Sequence, residues 1–236
     1  MPSKYIVKEY LAGGIYHVYN RGVDKRDIFR EDMDYRLFLS LLRTYLVPES
    51  EQPQKGSTLS TIRKGEFVFR IEILAYALMP NHYHLLIRQA GENDLSAFMK
   101  ALMTNYVMYF NKKYDRVGSL FQGVYKAILV TNDDYLLHLT RYIHLNPIAK
   151  GLNPLMLDHE EEGSTLRAIL VNQYTSYGDY VHLRETKWVK PGYILEYFAQ
   201  SNVSKMSKIS GYEEFMADLV GSETDKEILG RQAIDE

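Results

Sequence analysis

The chain has no cysteine at all. That absence excludes a disulfide framework, a thiolate zinc site, an iron–sulfur cluster and a cysteine nucleophile. Long apolar runs are missing too. The longest, Ile73 to Met79, has seven residues, against roughly 20 needed to cross a bilayer as a helix. The first residues, Met1-Pro-Ser-Lys-Tyr-Ile-Val-Lys-Glu, contain no apolar signal core, and no P-loop or other nucleotide-binding motif occurs in the sequence. These absences predict a soluble, intracellular (cytoplasmic) protein with no membrane partner. A strong excess of one charge is also lacking, because 28 Lys+Arg face 30 Asp+Glu for a net of −2.

What is present is more informative. With 46% hydrophobic and 25% charged residues over 236 positions, the composition is that of a folded chain with ample core, either one large domain or a domain with an appendage. The near-zero net charge conceals a division. Residues 1–150 hold 20 Lys+Arg and 15 Asp+Glu, a net of +5, while residues 151–236 hold 8 and 15, a net of −7. A basic first part and an acidic second part point to a polyanionic partner for the former. Ordinary solvated faces are the alternative.

The pattern along the chain alternates between strand and helix signals. Ile15 to Asn20 is a short β-prone run after Gly13-Gly14. Asp32 to Leu46 carries Phe38, Leu41, Leu42 and Tyr45 at helical spacing, and the polar stretch Pro48 to Lys64 reads as a loop. Phe67 to Met79 and His82 to Arg88 read as two strands joined by a tight Met-Pro-Asn turn. Asp94 to Tyr114 is an amphipathic helix with Asp94 as the expected N-cap. Val124 to Val130 is a further strand. Thr131-Asn132-Asp133 offers caps for a helix over about 133–146, which Pro147 stops.

The order β-α-β-β-α-β-α predicts an α+β fold, a ferredoxin-like antiparallel sheet with helices packed on it. Residues 1–152 would form this domain. Residues 153–236 would form an acidic C-terminal extension, loop-like over 153–163, with short helices near Tyr193–Gln200 and Tyr212–Val220.

Two constellations can carry chemistry. On the predicted strand, His82 and His84 point to one face and Tyr83 to the other, because strand side chains alternate. Two imidazoles so placed can reach one metal ion; a pair of satisfied, partly buried histidines is the plainer alternative. On the last helix of the domain, Tyr142 and Asn146 lie four residues apart and so on one face. Tyr142 offers a hydroxyl nucleophile and Asn146 an oxygen suited to a hard cation. Tyr142 is also one of 20 tyrosines, and Tyr135 and Leu139 continue its stripe, so packing against the sheet is the other reading.

The string Tyr76-Ala-Leu-Met-Pro-Asn-His-Tyr-His-Leu-Leu-Ile87 resembles the signature of single-tyrosine HUH transposases (IS200-like), in which two histidines flank one residue. It is most similar to the REP-associated tyrosine transposase branch. Three further segments share the resemblance: His17-Val-Tyr-Asn-Arg-Gly22 followed by Ile28-Phe29 and Asp34-Tyr35, Gly118-Ser-Leu-Phe-Gln-Gly123, and Arg141-Tyr-Ile-His-Leu-Asn-Pro147 with Gly151-Leu152. Together they span residues 15–152. Two positions depart from the family pattern: Val124 stands where relatives often carry Arg, and Ile148-Ala-Lys-Gly replaces a Val-Arg-Ala-Gly stretch.

The resemblance implies metal-dependent cleavage and rejoining of single-stranded DNA beside hairpins or palindromic repeats. Tyr142 would attack the scissile phosphate and hold a 5′-phosphotyrosine. His82, His84 and Asn146 would hold Mg²⁺ or Mn²⁺. A homodimer is a further expectation from the family. For DNA contact the candidates are Arg21, Lys25, Arg26, Lys112, Lys113, Arg116 and Lys126, with Phe121, Gln122 and Tyr125 among them; cations match backbone phosphates and aromatic faces stack on unpaired bases. A catalytically idle hairpin-DNA binding protein is the competing function, and a hydrolase with a water nucleophile a third.

Overall fold

The computed structural model describes residues 10–52, 62–148, 168–171, 173–199 and 211–217. In chain order the strands are β1 (Ile15–Arg21), β2 (Ile71–Met79), β3 (His82–Gln89) and β4 (Lys126–Leu129). The helices are α1 (Asp32–Leu46) between β1 and β2, α2 (Asp94–Lys113) between β3 and β4, and α3 (Asp133–Leu145) after β4. Three short helices follow, α4 (Tyr177–Tyr180), α5 (Gly192–Ala199) and α6 (Tyr212–Ala217).

The sheet has the order β2-β3-β1-β4, and every neighbouring pair is antiparallel. The crossover through α1 skips β3, and the crossover through α2 skips β1. This is the ferredoxin-like α+β arrangement expected from the element order.

Both faces of the sheet are covered. On one face Tyr16, Val18, Tyr76, Tyr83, Leu85 and Ile87 pack with Phe38, Leu41, Phe98 and Leu102 of α1 and α2. On the other, Leu74, Ala77 and Leu86 pack with Leu136, Leu139 and Ile143 of α3 and with Tyr177, Ile194 and Phe215 of α4–α6. A strand buried on both sides reads as a continuous apolar run rather than an alternation, which accounts for the unbroken Ile73–Met79 stretch.

The described residues beyond 173 share this core. Leu78 N–H donates to Tyr174 O at 2.9 Å, Lys190 N–H to Ile73 O at 2.8 Å, and Tyr180 Oη to Leu74 O at 2.9 Å. The loop expected at 153–163 lies outside the described residues.

Several element ends differ from the sequence reading, each for a local reason. The ladder of β2 begins at Ile71, not Phe67. Residues 64–70 form turns that fold back on the end of α1, through Gly65 N–H to Thr44 O at 2.8 Å and Phe67 N–H to Tyr45 O at 3.1 Å. Asn93, not Asp94, is the residue at the α2 N-cap position. The Asp94 carboxylate instead accepts from Gly91 N–H at 2.7 Å and pairs with Arg70 at 2.6 Å. Strand β4 is shorter than Val124–Val130, and Val124 is exposed. Asn132 caps α3 as expected, its side chain accepting from Tyr135 N–H at 2.8 Å. Among the described residues no helix is long and apolar enough to cross a membrane.

Helices α1 and α2 are joined by a buried carboxylate. Asp34, fully buried, accepts from Lys113 Nζ at 2.5 Å, Tyr114 Oη at 2.7 Å, Tyr109 Oη at 3.1 Å and Arg30 N–H at 2.8 Å. Burial alone would raise its pKa, but the Lys113 ammonium, the Tyr114 hydroxyl, the Arg30 amide and the Tyr109 hydroxyl together hold it below the ordinary carboxylate value. A carboxyl depressed in the folded state stabilises the fold above its unfolded pKa, about 3.9, and loses that contribution as pH falls through the folded value. Asp34→Asn is expected to lower stability at pH 7 by roughly 2–3 kcal/mol, with the gap to the parent narrowing as pH falls below the ordinary carboxylate value; urea titrations from neutral to acid pH check it.

Candidate active site

Strand β3 presents His82 and His84 to the α3 side of the sheet and Tyr83 to the α1/α2 core. Both histidines are nearly buried, His84 at 1% exposure. The register places Arg21 of β1 opposite His82, Tyr19 opposite His84, and Lys126 of β4 opposite Tyr19. Paired residues share a face, so one row across the sheet reads His84, Tyr19, Lys126. The Lys126 ammonium stands 5.4 Å from the Tyr19 ring centre.

Helix α3 lies over this row and completes it. The Tyr142 ring meets His84 edge-on, centroids 5.6 Å apart at 86°. One turn later Asn146 Oδ1 comes within 3.3 Å of His82 Nε2. Residues from three separated parts of the sequence thus meet at one place, and Tyr142 and Asn146 are both partly exposed there.

The hydrogen bonds behind the histidines fix how each ring is used. Asn81 Nδ2 donates to Lys25 O at 3.3 Å, which orients the amide so that its Oδ1 faces His82 Nδ1 at 2.6 Å. An amide oxygen only accepts, so the His82 proton sits on Nδ1, and in the neutral ring Nε2 turns its lone pair toward Asn146 Oδ1. Two acceptors converging at 3.3 Å repel unless a cation, or a proton on the ring, lies with them, or the Asn146 amide turns to donate its N–H to the ring. Metal-binding histidines commonly give their second N–H to a carbonyl or carboxylate in this way. His84 Nδ1 is likewise engaged, 2.7 Å from His17 Nε2.

Two imidazoles and an amide oxygen suit a cation that keeps open positions for phosphate oxygens and water, unlike a closed four-ligand structural zinc site. Among the described residues no three His, Asp or Glu side chains cluster as a metal site, so the amide of Asn146 is the third donor this arrangement offers.

Residues 50–146 match the family model described as "Transposase IS200 like". Over this span the chain resembles the IS200-like transposases. The span holds β2, β3, α2, β4 and α3, and with them His82, His84, Tyr142 and Asn146. A solved structure of a REP-associated tyrosine transposase bound to a REP hairpin is similar at 14% identity and a TM-score of 0.49, covering 80% of this chain and 97% of that one. No curated protein matches the chain.

Within this matched segment and beside it, the expected DNA-contacting residues separate into groups. Arg21 and Lys126 stand on the histidine face by register. Gln122 is exposed and Tyr125 partly so, and Lys25 is exposed in a turn where it and Asp24 take left-handed backbone angles. Arg26 leans back on its own turn, donating to Val23 O and pairing with Asp24 at 3.3 Å.

Lys112, Lys113 and Arg116 belong to the end of α2 and the turn after it, and α2 packs on the opposite face. Two residues of the set are committed elsewhere. Lys113 is tied to Asp34 and Glu31, both at 2.5 Å, which neutralises it. Phe121 is buried edge-on against Tyr83, 5.9 Å between centroids, and serves as core rather than as a stacking platform.

Sequence reasoning assigned no role to His17, Tyr19 or Asn81. The signal was available for the first two, since His17, Tyr19 and Arg21 alternate on β1 as the histidines do on β3.

Helix α3 is held down by buried polar contacts to the C-terminal elements. His144 Nδ1 lies 2.6 Å from Tyr212 Oη and its Nε2 2.7 Å from Ser176 Oγ. Burial, reinforced by the nearby Arg184 charge, pushes the His144 pKa down to about 3, so the ring is neutral. Arg141, almost wholly buried, donates to Phe215 O at 3.0 Å and lies over the Phe215 ring at 4.3 Å.

Replacing His144 by Leu keeps apolar volume but leaves the buried Tyr212 hydroxyl without its partner and the Ser176 hydroxyl with only its contacts to the Tyr76 backbone. A loss of roughly 2–4 kcal/mol is expected, read as a lowered urea midpoint with an unchanged m-value.

Proposed function

We propose that this protein cuts and rejoins single-stranded DNA beside a hairpin, through a 5′-phosphotyrosine formed on Tyr142. The observation that carries this reading is the convergence of Tyr142 and Asn146 on His82 and His84, at the spacings expected of an IS200-like site. His82, His84 and Asn146 would hold Mg²⁺ or Mn²⁺, which when bound supplies Lewis-acid polarisation of a phosphoryl oxygen.

Tyr142 Oη attacks the scissile phosphorus; a new O–P bond forms as the bond to the 3′-oxygen breaks, and the proton given up by the Tyr142 hydroxyl is matched by the one the leaving 3′-oxygen takes up, so the exchange consumes no net proton. In the reverse direction a 3′-hydroxyl attacks the phosphotyrosine and restores the DNA strand. The covalent link keeps the phosphoester energy, so no nucleotide is consumed. That agrees with the absence of a P-loop. Asn146, one helical turn from Tyr142, couples the nucleophile to the cation site. Arg21 and Lys126 offer positive charge on the same face for backbone phosphates, and Tyr19 offers aromatic surface beside them; Tyr125 packs on the α1/α2 side, where it bonds to the Tyr10 hydroxyl.

The test is a hairpin-flanked single-stranded oligonucleotide incubated with the protein and Mn²⁺, followed by denaturing gel. A covalent adduct is expected from the parent. Tyr142→Phe should abolish it while leaving DNA affinity within about threefold, and His82→Ala should lower the adduct yield and raise the Mn²⁺ concentration it requires. An adduct that persists in Tyr142→Phe refutes the nucleophile. DNA binding with no adduct from the parent would leave a binding protein only.

A second measurement separates the lysines. Lys126→Gln should weaken DNA binding and reduce its salt slope by about one. Lys113→Gln should leave that slope unchanged and lower the melting temperature.

A further inference from the structure

We propose that His17 is a positioning residue for the cation site: it accepts the Nδ1 proton of His84 and thereby presents His84 Nε2 to the cation. The inference rests on the metal-site reading above and adds a residue to it.

The geometry is confined to a small buried group. His17 is fully buried, its Nε2 2.7 Å from His84 Nδ1. The two rings are nearly parallel, with centroids 4.9 Å apart at 19°. Tyr19 lies close to both, 4.9 Å from His17 at 29° and 5.7 Å from His84 at 25°. Three near-parallel rings on adjacent strands leave His84 little freedom to rotate.

A bond between two imidazoles has two possible directions. If His17 donated, a neutral His84 would carry its own proton on Nε2 and could offer no lone pair to a cation from that nitrogen. If His84 donates, Nε2 becomes the acceptor, as it already is in His82, where the fixed Asn81 amide holds the proton on Nδ1. The two histidines are then used alike, each with Nδ1 bound to a neighbour and Nε2 offered to the cation. His17 does for His84 what Asn81 does for His82, but from a different strand. Placing the acceptor on β1 also ties the site to the centre of the sheet, since β1 pairs with both β3 and β4.

Two measurements on the full chain test this. The first is the tautomer of His84 in the metal-free parent, read from ¹⁵N chemical shifts of the imidazoles. A proton on Nδ1 is expected; a proton on Nε2 overturns the proposal and needs no variant. The second is Mn²⁺ affinity, by calorimetric titration, of the parent, His17→Phe and His17→Gln. Phe keeps a ring without an acceptor, and Gln offers an amide oxygen.

His17→Phe should weaken Mn²⁺ binding by about 10–100-fold, and His17→Gln should recover most of that loss. A folded His17→Phe protein that binds Mn²⁺ as tightly as the parent overturns the proposal. If His17→Phe fails to fold, the tautomer decides. A parent that binds no Mn²⁺ would defeat the metal-site reading itself, and the tautomer would still settle the direction of the His17–His84 bond.

Discussion

The alternation of side chains along β3 is the constraint on which the rest of the structure depends. Tyr83, with its neighbours Leu85 and Ile87, faces the α1/α2 core, while His82 and His84 face α3. A slip of one residue in the β3 register would exchange these sets, burying two imidazoles among phenyl rings and presenting a tyrosine to the site. The register is held from both sides, by β2 and by β1. It is held again by the turn before it, where Ile28 and Phe29 N–H groups both donate to Pro80 O at 2.7 and 2.9 Å. The arrangement of the candidate site is therefore protected by the packing of the opposite face.

The second face is built differently. Its cover is polar where it meets α3: His144 with Ser176 and Tyr212, and Arg141 with His138 and Phe215. Such contacts are directional, and an apolar interface is not. Leu139 and Ile143 alone would let α3 slide along the sheet, but the hydrogen bonds fix its height and rotation. The described C-terminal elements thus act on Tyr142 and Asn146 through α3.

Much of this was legible in the sequence, because it rests on local periodicity. The helix at Asp32–Leu46 and the strand at His82 onward follow from spacing alone, and the shared face of His82 and His84 follows from strand alternation. The unread parts were non-local. Asp94 looks like a cap until Arg70 and Gly91 are seen to claim its carboxylate. Phe67 to Arg70 looks like strand because Phe and Val favour strands, yet the return from α1 forces that stretch into turns.

Phe121 and Lys113 resemble surface contacts in sequence because nothing near them in the chain announces Tyr83 or Asp34, which lie 38 and 79 positions away. His17 was missed for a similar reason: its partner His84 is 67 residues distant, and only the β1–β3 pairing joins them.

The placement of Tyr142 and Asn146 on one turn of α3 has a consequence for how the site assembles. A nucleophile and a cation ligand on separate elements could be positioned separately, and each could be right while the other is wrong. On one helix they move together, so the position that brings Asn146 Oδ1 to His82 also brings the Tyr142 ring to His84. Asn146 is the C-cap of α3, and a helix C-terminus carries partial negative charge. That end of α3 therefore favours a cation beside the histidines on electrostatic grounds, in addition to the amide donor. The docking of α3 on the sheet and the completion of the proposed cation site are then one event, and the contacts that secure the helix also secure the meeting of Tyr142 and Asn146 with the histidines.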